Sequence, residues 1–135
     1  PRGIVIHGTH AYIADMMMGL AVVDISNASA PTVVALVDTA GAPQHLSVSD
    51  DLLWVSSGAA GFEAFDLSDP AKPKLLGGAS TGRAVAGLRS RGDLLWTSEH
   101  EVITASTSSG RVLVFLSRSP TMSSKMVSVS LRMSL

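Results

Sequence analysis

Cysteine is absent from this chain of 135 residues, and aromatic residues make up only 4% of it. The lack of cysteine excludes disulfide bonds, thiolate metal sites and a cysteine nucleophile. Charge is sparse and balanced, with 10 Lys and Arg against 11 Asp and Glu and a formal net charge of -1. Because no excess of positive charge is present to neutralise nucleic acid phosphates or an anionic membrane surface, we expect neither partner.

Long hydrophobic runs are also missing. The longest, Met16 to Val23, has eight residues even when Gly19 is counted, against the roughly 20 that a membrane-spanning helix needs. We therefore expect no membrane span. The chain begins with Pro1 and lacks a basic segment followed by an apolar core, which is the pattern of a mature form or a fragment. Hydrophobic residues nevertheless make up 46% of the sequence, enough for one domain with its own core.

The sequence repeats itself with a period of 42 residues. Identical residues at this offset are Pro1 and Pro43, Gly19 and Gly61, Asp24 and Asp66, Ser26 and Ser68, Pro31 and Pro73, and Thr39 and Thr81. The same shift places Leu52-Leu53-Trp54 on Leu94-Leu95-Trp96, so a third copy begins on schedule. That copy then departs from the period through an insertion within Glu99 to Ser109. We expect this insertion to extend a hairpin beyond the edge of its sheet.

Hydrophobic and polar residues alternate within each copy over short runs, separated by Gly, Asp, Asn, Ser and Pro. This pattern predicts four strands per copy and no helix. In the second copy the predicted strands are His45 to Ser49, Leu52 to Ser57, Phe62 to Leu67 and Lys74 to Ala79. In the third they are Ala84 to Arg89, Leu94 to Glu99, Arg111 to Ser117 and Lys125 to Leu131.

Four short antiparallel strands at a period just above 40 residues are typical of β-propeller blades. We predict an all-β fold with about three four-stranded blades in a single domain over residues 1–135. The blades fall at about residues 1–42, 43–84 and 85–135. Tyr12, Trp54 and Trp96 take equivalent places at the 42-residue offset and are expected to pack between neighbouring blades.

Closure of the ring is the open question in this architecture. Three blades form only a partial or half propeller, because closed propellers have four to eight blades. The first and last blades of such a partial propeller would each leave an apolar face exposed, and repeat proteins normally cover such faces. We expect a protein partner or self-association to complete the propeller. The simplest self-association is a two-fold pair making six blades, and the alternative is that the chain is part of a longer propeller.

Two sequence segments resemble those of a known protein family. Gly19 to Asn27, GLAVVDISN, is followed by Pro31, and Gly61 to Pro70, GFEAFDLSDP, is followed by Pro73. Together with Ala11 to Asp15, AYIAD, these segments strongly resemble the LVIVD repeat family. The resemblance implies a β-propeller of bacterial or archaeal surface and secreted proteins, and therefore an extracellular or cell-surface location. It implies no catalytic set.

Polar residues stand at the start of the innermost strand of each predicted blade, namely Arg2, Gln44, His45 and Arg83. Side chains there tend to point at the central opening of a propeller, where converging polar groups bind a small polar or anionic ligand. The alternative is that they line a hydrated channel and bind nothing specific.

Two functions from different classes follow. The first is a non-catalytic module that displays loops for protein or ligand contact, with no catalytic residue, metal or cofactor, because turns and packing account for all the repeated residues. The alternative is a hydrolase or lyase at the axial mouth, with His45 as the base and Arg2 or Arg83 stabilising an anion. That alternative needs a carboxylate partner for the base.

Short motifs elsewhere have structural explanations. Gly78 to Gly82 matches the G-x-S-x-G pattern of esterases, but no helix follows it, and Arg91 to Asp93 spells an adhesion tripeptide at a predicted hairpin turn. Asp24 and Asp66 end third strands, where a carboxylate accepts hydrogen bonds from the following turn. Structural use is the favoured interpretation in each case.

Two hairpin turns of the first repeat contain unusual residues, histidines in one and methionines in the other. His7 and His10 straddle a two-residue turn with no Asp or Glu beside them, so the sequence predicts an exposed pair rather than a metal site. Met16 to Met18 form an apolar hairpin turn, and flexible thioether side chains on a loop suit a contact surface.

Overall fold

A computed structural model describes residues 1–79, 84–85, 87–91, 94–97, 101–108, 111–118 and 127–131. Within these ranges every regular element is a strand. The thirteen strands are β1 Gly3–His7, β2 His10–Asp15, β3 Gly19–Asp24, β4 Thr32–Val37, β5 His45–Ser49, β6 Leu52–Ser56, β7 Phe62–Asp66, β8 Lys74–Ala79, β9 Leu88–Arg91, β10 Leu94–Thr97, β11 Glu101–Ser108, β12 Arg111–Arg118 and β13 Val127–Leu131. The all-β prediction is confirmed.

The strands form three antiparallel sheets. The first sheet has the order β1-β2-β3-β4 and the second has the order β5-β6-β7-β8. In both, strands that follow one another in the chain are hydrogen-bonded neighbours, as expected for propeller blades. The predicted boundaries between the blades stay predictions.

The 42-residue period extends to the backbone conformation. Gly19 and Gly61, which precede the third strand of their sheets, both have positive φ values, 81° and 91°. The first hairpin turn has Gly8 at φ 58° in one copy and Asp50 at φ 52° in the other, a left-handed conformation that Asp tolerates better than most residues. Both sheets also carry a register shift between their third and fourth strands, at Val22/Val23 and Ala64/Phe65.

The third sheet differs from the four-strand prediction. It has five strands in the order β13-β12-β11-β10-β9. The insertion supplies the additional strand, β11, which pairs with β10 on one side and β12 on the other. It therefore lies inside the sheet and not beyond its edge. The segment Glu101–Ser108, EVITASTS, is rich in β-branched residues, which favour the extended backbone.

The first strands of the three sheets lie side by side, since β1 contacts β5 and β5 contacts β9. The approach between β1 and β5 is close, because a Cβ placed on Gly3 would lie 2.9 Å from the carbonyl oxygen of Gln44. Between β5 and β9, the hydroxyl groups of Ser47 and Ser90 are hydrogen-bonded at 2.7 Å. The sheets are therefore arranged as consecutive blades of a partial propeller.

Two hydrophobic cores lie between successive sheets. The core between the first and second sheets contains Tyr12, Leu20, Val22, Leu53, Val55, Phe65 and Leu67. The core between the second and third sheets contains Trp54, Phe62, Ala64 and Leu95. Tyr12 and Trp54 are buried in these two cores, which confirms the prediction that they pack between blades.

The third aromatic residue of the set, Trp96, is described only by its backbone. It pairs with Arg89 across β9 and β10, as Trp54 pairs with Ser47 and Tyr12 with Val5. These pairs repeat at the 42-residue offset. The predicted equivalence of the three aromatic positions is therefore confirmed for the strand register.

The ionisation of the Tyr12 hydroxyl group reports on the core between the first two sheets. This hydroxyl group donates a hydrogen bond to the carbonyl oxygen of Pro70 at 2.7 Å. Burial raises the pKa of Tyr12 above its usual value of 10.0, and the negative charges of Asp69 and Asp51 raise it further. Because the pKa of Tyr12 is raised in the folded state, its neutral hydroxyl group contributes to stability. This contribution is fully present below the unfolded-state pKa and is lost as the pH rises through the folded-state pKa.

We expect Tyr12 to ionise at higher pH in the folded protein than in the urea-unfolded chain. Tyr12 is the only tyrosine, so the ultraviolet absorbance of phenolate reports on this group alone. Stability measured by denaturation should also fall at pH values above about 10. Equal ionisation midpoints in the folded and unfolded chains would contradict the burial of this hydroxyl group.

Candidate functional site

Three of the four predicted axial residues belong to the described part of the chain. Arg2 is exposed, and its Nε donates to the Met16 sulfur at 3.2 Å. Gln44 is half-buried and His45 is exposed at the start of β5. Arg83 lies outside the described residues.

The backbone at these positions is held in the same way in both sheets. The Arg2 N–H donates to the Ala14 carbonyl at 2.8 Å, and the Gln44 N–H donates to the Ser56 carbonyl at 2.9 Å. The His45 N–H donates to Ser56 Oγ at 3.0 Å. Among the described residues, no carboxylate is hydrogen-bonded to the His45 ring. The axial ligand site and the hydrolase alternative both stay predictions.

A buried carboxylate that the sequence interpretation missed lies near this end of the second sheet. Glu63 on β7 is only 5% exposed. Both of its carboxylate oxygens accept from the Ala40 N–H at 3.1 Å, and Oε2 also accepts from the Ser57 hydroxyl at 2.5 Å. Glu63 thereby connects the segment between the first two sheets to the turn between β6 and β7.

The equivalent position in the first sheet has no such group. Glu63 corresponds to Ala21 at the 42-residue offset, and its cross-strand partner Gly78 corresponds to Leu36. A Cβ placed on Gly78 would lie 3.1 Å from Glu63 Cγ and 2.5 Å from the Phe62 carbonyl oxygen. The glycine therefore makes room for the glutamate. A charged residue within an otherwise apolar alternation was the available sequence signal.

The interpretation of His7 as lacking a carboxylate neighbour was wrong. Its Nε2 lies 3.1 Å from Asp51 Oδ1, in the first hairpin turn of the second sheet. The neighbour comes from a sheet packed alongside and not from the adjacent sequence. His10 is paired in register with Asp24. In the described part of the chain, no three His, Cys, Asp or Glu side chains are grouped so that they would hold a metal ion.

Asp24 and Asp66 have the structural role expected of them. The Ser26 N–H donates to Asp24 Oδ1 at 2.8 Å, and the Ser68 N–H donates to Asp66 Oδ1 at 2.8 Å. The backbone hydrogen bond of Ser26 lowers the pKa of Asp24. The side-chain hydrogen bond of Ser68, followed by its backbone hydrogen bond, lowers the pKa of Asp66.

The methionine turn is held in shape by one carboxylate. Asp15 Oδ1 accepts from the Met17 N–H at 2.9 Å and from the Met18 N–H at 3.1 Å. Asp15 Oδ2 also lies 3.1 Å from the amino group of Pro1. The Met17 side chain is 95% exposed. The turn therefore presents an apolar group on an ordered backbone.

One face of the first sheet is an apolar surface, which we call the uncovered face. It has two rows across the four strands: Ile4, Ile13, Ala21 and Leu36, then Ile6, Ala11, Val23 and Val33. Ile4 and Ile6 are both 61% exposed, and Leu36 and Val33 are also exposed.

The corresponding face of the second sheet is covered. Its residues at the same offset include Leu46, Val48, Leu53, Val55 and Phe65, and these pack against the first sheet. The described residues contain no further sheet that covers the first sheet in the same way. An apolar face that is an interface in the second sheet is therefore left uncovered by the described residues in the first, although Ala11 within it is only 4% exposed.

Some predicted motifs fall outside the described residues. They are Ser80 to Gly82 of the G-x-S-x-G match and Gly92 and Asp93 of the adhesion tripeptide. In the described ranges, no helix is long and apolar enough to cross a membrane.

Comparison with known proteins gives one positive result. A family model described as the LVIVD repeat matches residues 2–39 and, a second time, residues 40–81. The two matches together cover more than half of the chain and coincide with the first two sheets. No curated protein matches the chain.

Proposed function

Since the chain belongs to the LVIVD repeat family, we propose that it is a non-catalytic β-propeller module that associates with protein surfaces, including those of further copies of this chain, through the uncovered face of its first sheet. The extracellular or cell-surface location implied by the resemblance is part of the same proposal. The observation that carries it is the contrast between two equivalent faces. The face is exposed in the first sheet and packed in the second.

The energetic argument favours association through this face. Burial of one large aliphatic side chain contributes about 1.5 to 3 kcal/mol. Ile4, Ile6 and Leu36 are all more than half exposed, and they lie in two continuous apolar rows. Contiguous exposed apolar surface of this kind is typical of protein interaction sites.

We expect the protein to sediment at micromolar concentration with a mass above the 14.0 kDa of one chain. Ile6→Lys should weaken association by about 100-fold, because it places a charge in an apolar contact. Ile6 is exposed, so the variant should keep the native circular dichroism spectrum.

Met17→Lys is the matched control. It also changes an exposed apolar residue to lysine, but it lies on the turn after β2 and not on the uncovered face. Its association should equal that of the unmodified chain. A folded protein that stays at 14.0 kDa throughout the micromolar range would contradict the proposal.

A further inference from the structure

We propose that Asn27 is the acceptor of an N-linked oligosaccharide. Asn27, Ala28 and Ser29 match the N-x-S pattern, in which any residue except proline stands between the asparagine and the serine. Asn27 is also the only asparagine of the chain. This inference rests on the extracellular or cell-surface location within the proposed function, because oligosaccharides of this kind are attached to secreted and surface proteins.

The pattern lies in a hydrogen-bonded turn between β3 and β4. The carbonyl oxygen of Asn27 accepts from the Ala30 N–H at 3.0 Å, and Asn27 Oδ1 accepts from the Ser29 N–H at 3.1 Å. Residues 26–34 are all exposed. A large hydrated oligosaccharide requires a surface position of this kind, since its hydroxyl groups lose their water if they are buried.

The equivalent turn of the second sheet shows which parts of the pattern the fold requires. Asp69 takes the place of Asn27, and its Oδ1 accepts from the Ala71 N–H at 3.1 Å. Its carbonyl oxygen accepts from the Lys72 N–H at 3.0 Å. An aspartate therefore closes this turn as an asparagine does. The fold accounts for a side-chain oxygen at position 27, but it accounts neither for the amide nitrogen of Asn27 nor for the hydroxyl group of Ser29.

Those two unexplained groups are the ones that the modification uses. In the described part of the chain, Asn27 Nδ2 and the Ser29 hydroxyl group make no hydrogen bond, and both residues are exposed. An amide nitrogen is a poor nucleophile because its electron pair is delocalised into the carbonyl group. The hydrogen bond from the Ser29 N–H to Oδ1 draws electron density onto the oxygen, which makes the Nδ2 protons easier to remove.

The donor is an oligosaccharide that is joined to a lipid carrier through a phosphate or pyrophosphate ester. In the transfer, Asn27 Nδ2 forms a bond with the anomeric carbon of the first sugar, and the bond between that carbon and the phosphate oxygen breaks. The phosphate group leaves with the electron pair, and one Nδ2 proton passes to a base of the transferring enzyme. Nothing is oxidised or reduced in this step.

The position remains accessible whether or not another blade precedes the first sheet. The turn of the second sheet has a neighbouring blade, since the Tyr12 hydroxyl group donates to the Pro70 carbonyl oxygen at 2.7 Å. Asp69, in that same turn, is nevertheless exposed. Asn27 would therefore stay exposed at the equivalent place beside a preceding blade.

Secretion of the chain from cultured eukaryotic cells tests the acceptor. We expect an intact mass above 14.0 kDa that falls when a peptide amidase removes N-linked oligosaccharides and leaves an aspartate at position 27. Asn27→Asp is the matched control, because it keeps an acceptor for the Ser29 N–H as Asp69 does for Ala71. It should be secreted and folded without the oligosaccharide. Ser29→Ala should also lose the oligosaccharide, whereas Ser29→Thr should retain it.

Sugars attached to serine or threonine are distinguished because they resist the amidase and persist in Asn27→Asp. A secreted, folded chain without amidase-sensitive mass would overturn the acceptor role of Asn27, and so would retention of that mass in Ser29→Ala. Either result leaves the proposed association standing, because association is measured separately, by the sedimentation of Asn27→Asp. A monomeric chain that carries the oligosaccharide would instead remove the association and keep the acceptor site.

Discussion

Replacement of Trp54 by alanine should lower the free energy of unfolding by about 3 to 5 kcal/mol, the range for large aromatic residues in protein cores. Trp54 is buried between the second and third sheets in the same cluster as Phe62 and Leu95. Its ring lies 5.8 Å from that of Phe62, at an interplanar angle of 58°. Tilted aromatic pairs at this distance add to the stabilisation that burial alone provides.

The measurement is urea denaturation followed by circular dichroism, and Met17→Ala is the control. Met17 is almost fully exposed, so its truncation should change stability by less than about 0.5 kcal/mol. Trp54→Phe should lose less than Trp54→Ala, because the smaller aromatic ring still fills part of the site. A loss below about 1 kcal/mol in Trp54→Ala would show that the strand register of the second blade is wrong.

The sequence was sufficient to predict the fold of the first two sheets because their information is local. Gly19 and Gly61 adopt the positive φ that their turns require, and Asp24 and Asp66 bind the turns that follow them. Such features depend on residues within a few positions of one another. Because the sequence contains an internal repeat, the same turn residues occur in both copies, and a strand assignment made in one copy can be checked in the other.

The third sheet was less predictable because its sequence departs from the repeat. Alignment by the 42-residue period assigns strands to segments that resemble the earlier copies, and Glu101–Ser108 has no earlier counterpart. Its β-branched residues favour a strand, but local propensity does not reveal which strands it joins. The structure shows β11 between β10 and β12.

The contacts around the candidate site were missed for a different reason. His7 meets Asp51, and Glu63 meets Ala40, across the boundary between two sheets. These pairs are separated by 44 and 23 residues. Side-chain pairing of this kind depends on how the sheets pack, which no short sequence window contains. The uncovered face was foreseen only as a consequence of counting blades, and its residues required the strand register.

Replacement of Glu63 by alanine should lower the free energy of unfolding by about 2 to 4 kcal/mol, because the change removes the carboxylate that accepts from one part-buried N–H and one buried hydroxyl group. These donors are the Ala40 N–H and the Ser57 hydroxyl. The neighbouring Gly78 has no side chain to fill the space that the glutamate vacates. Asp38→Ala is the control, since Asp38 is an exposed carboxylate in the same connecting segment.

Glu63→Gln separates hydrogen bonding from packing. Glutamine fills the same space, but its amide supplies one oxygen acceptor where the carboxylate supplies two. We therefore expect a loss of about 1 to 2 kcal/mol, between those of the unmodified chain and of Glu63→Ala. Equal losses in the two variants would assign the effect to the negative charge of Glu63. A loss in Glu63→Ala no larger than that in Asp38→Ala would mean that the carboxylate does not hold the connecting segment against the second sheet.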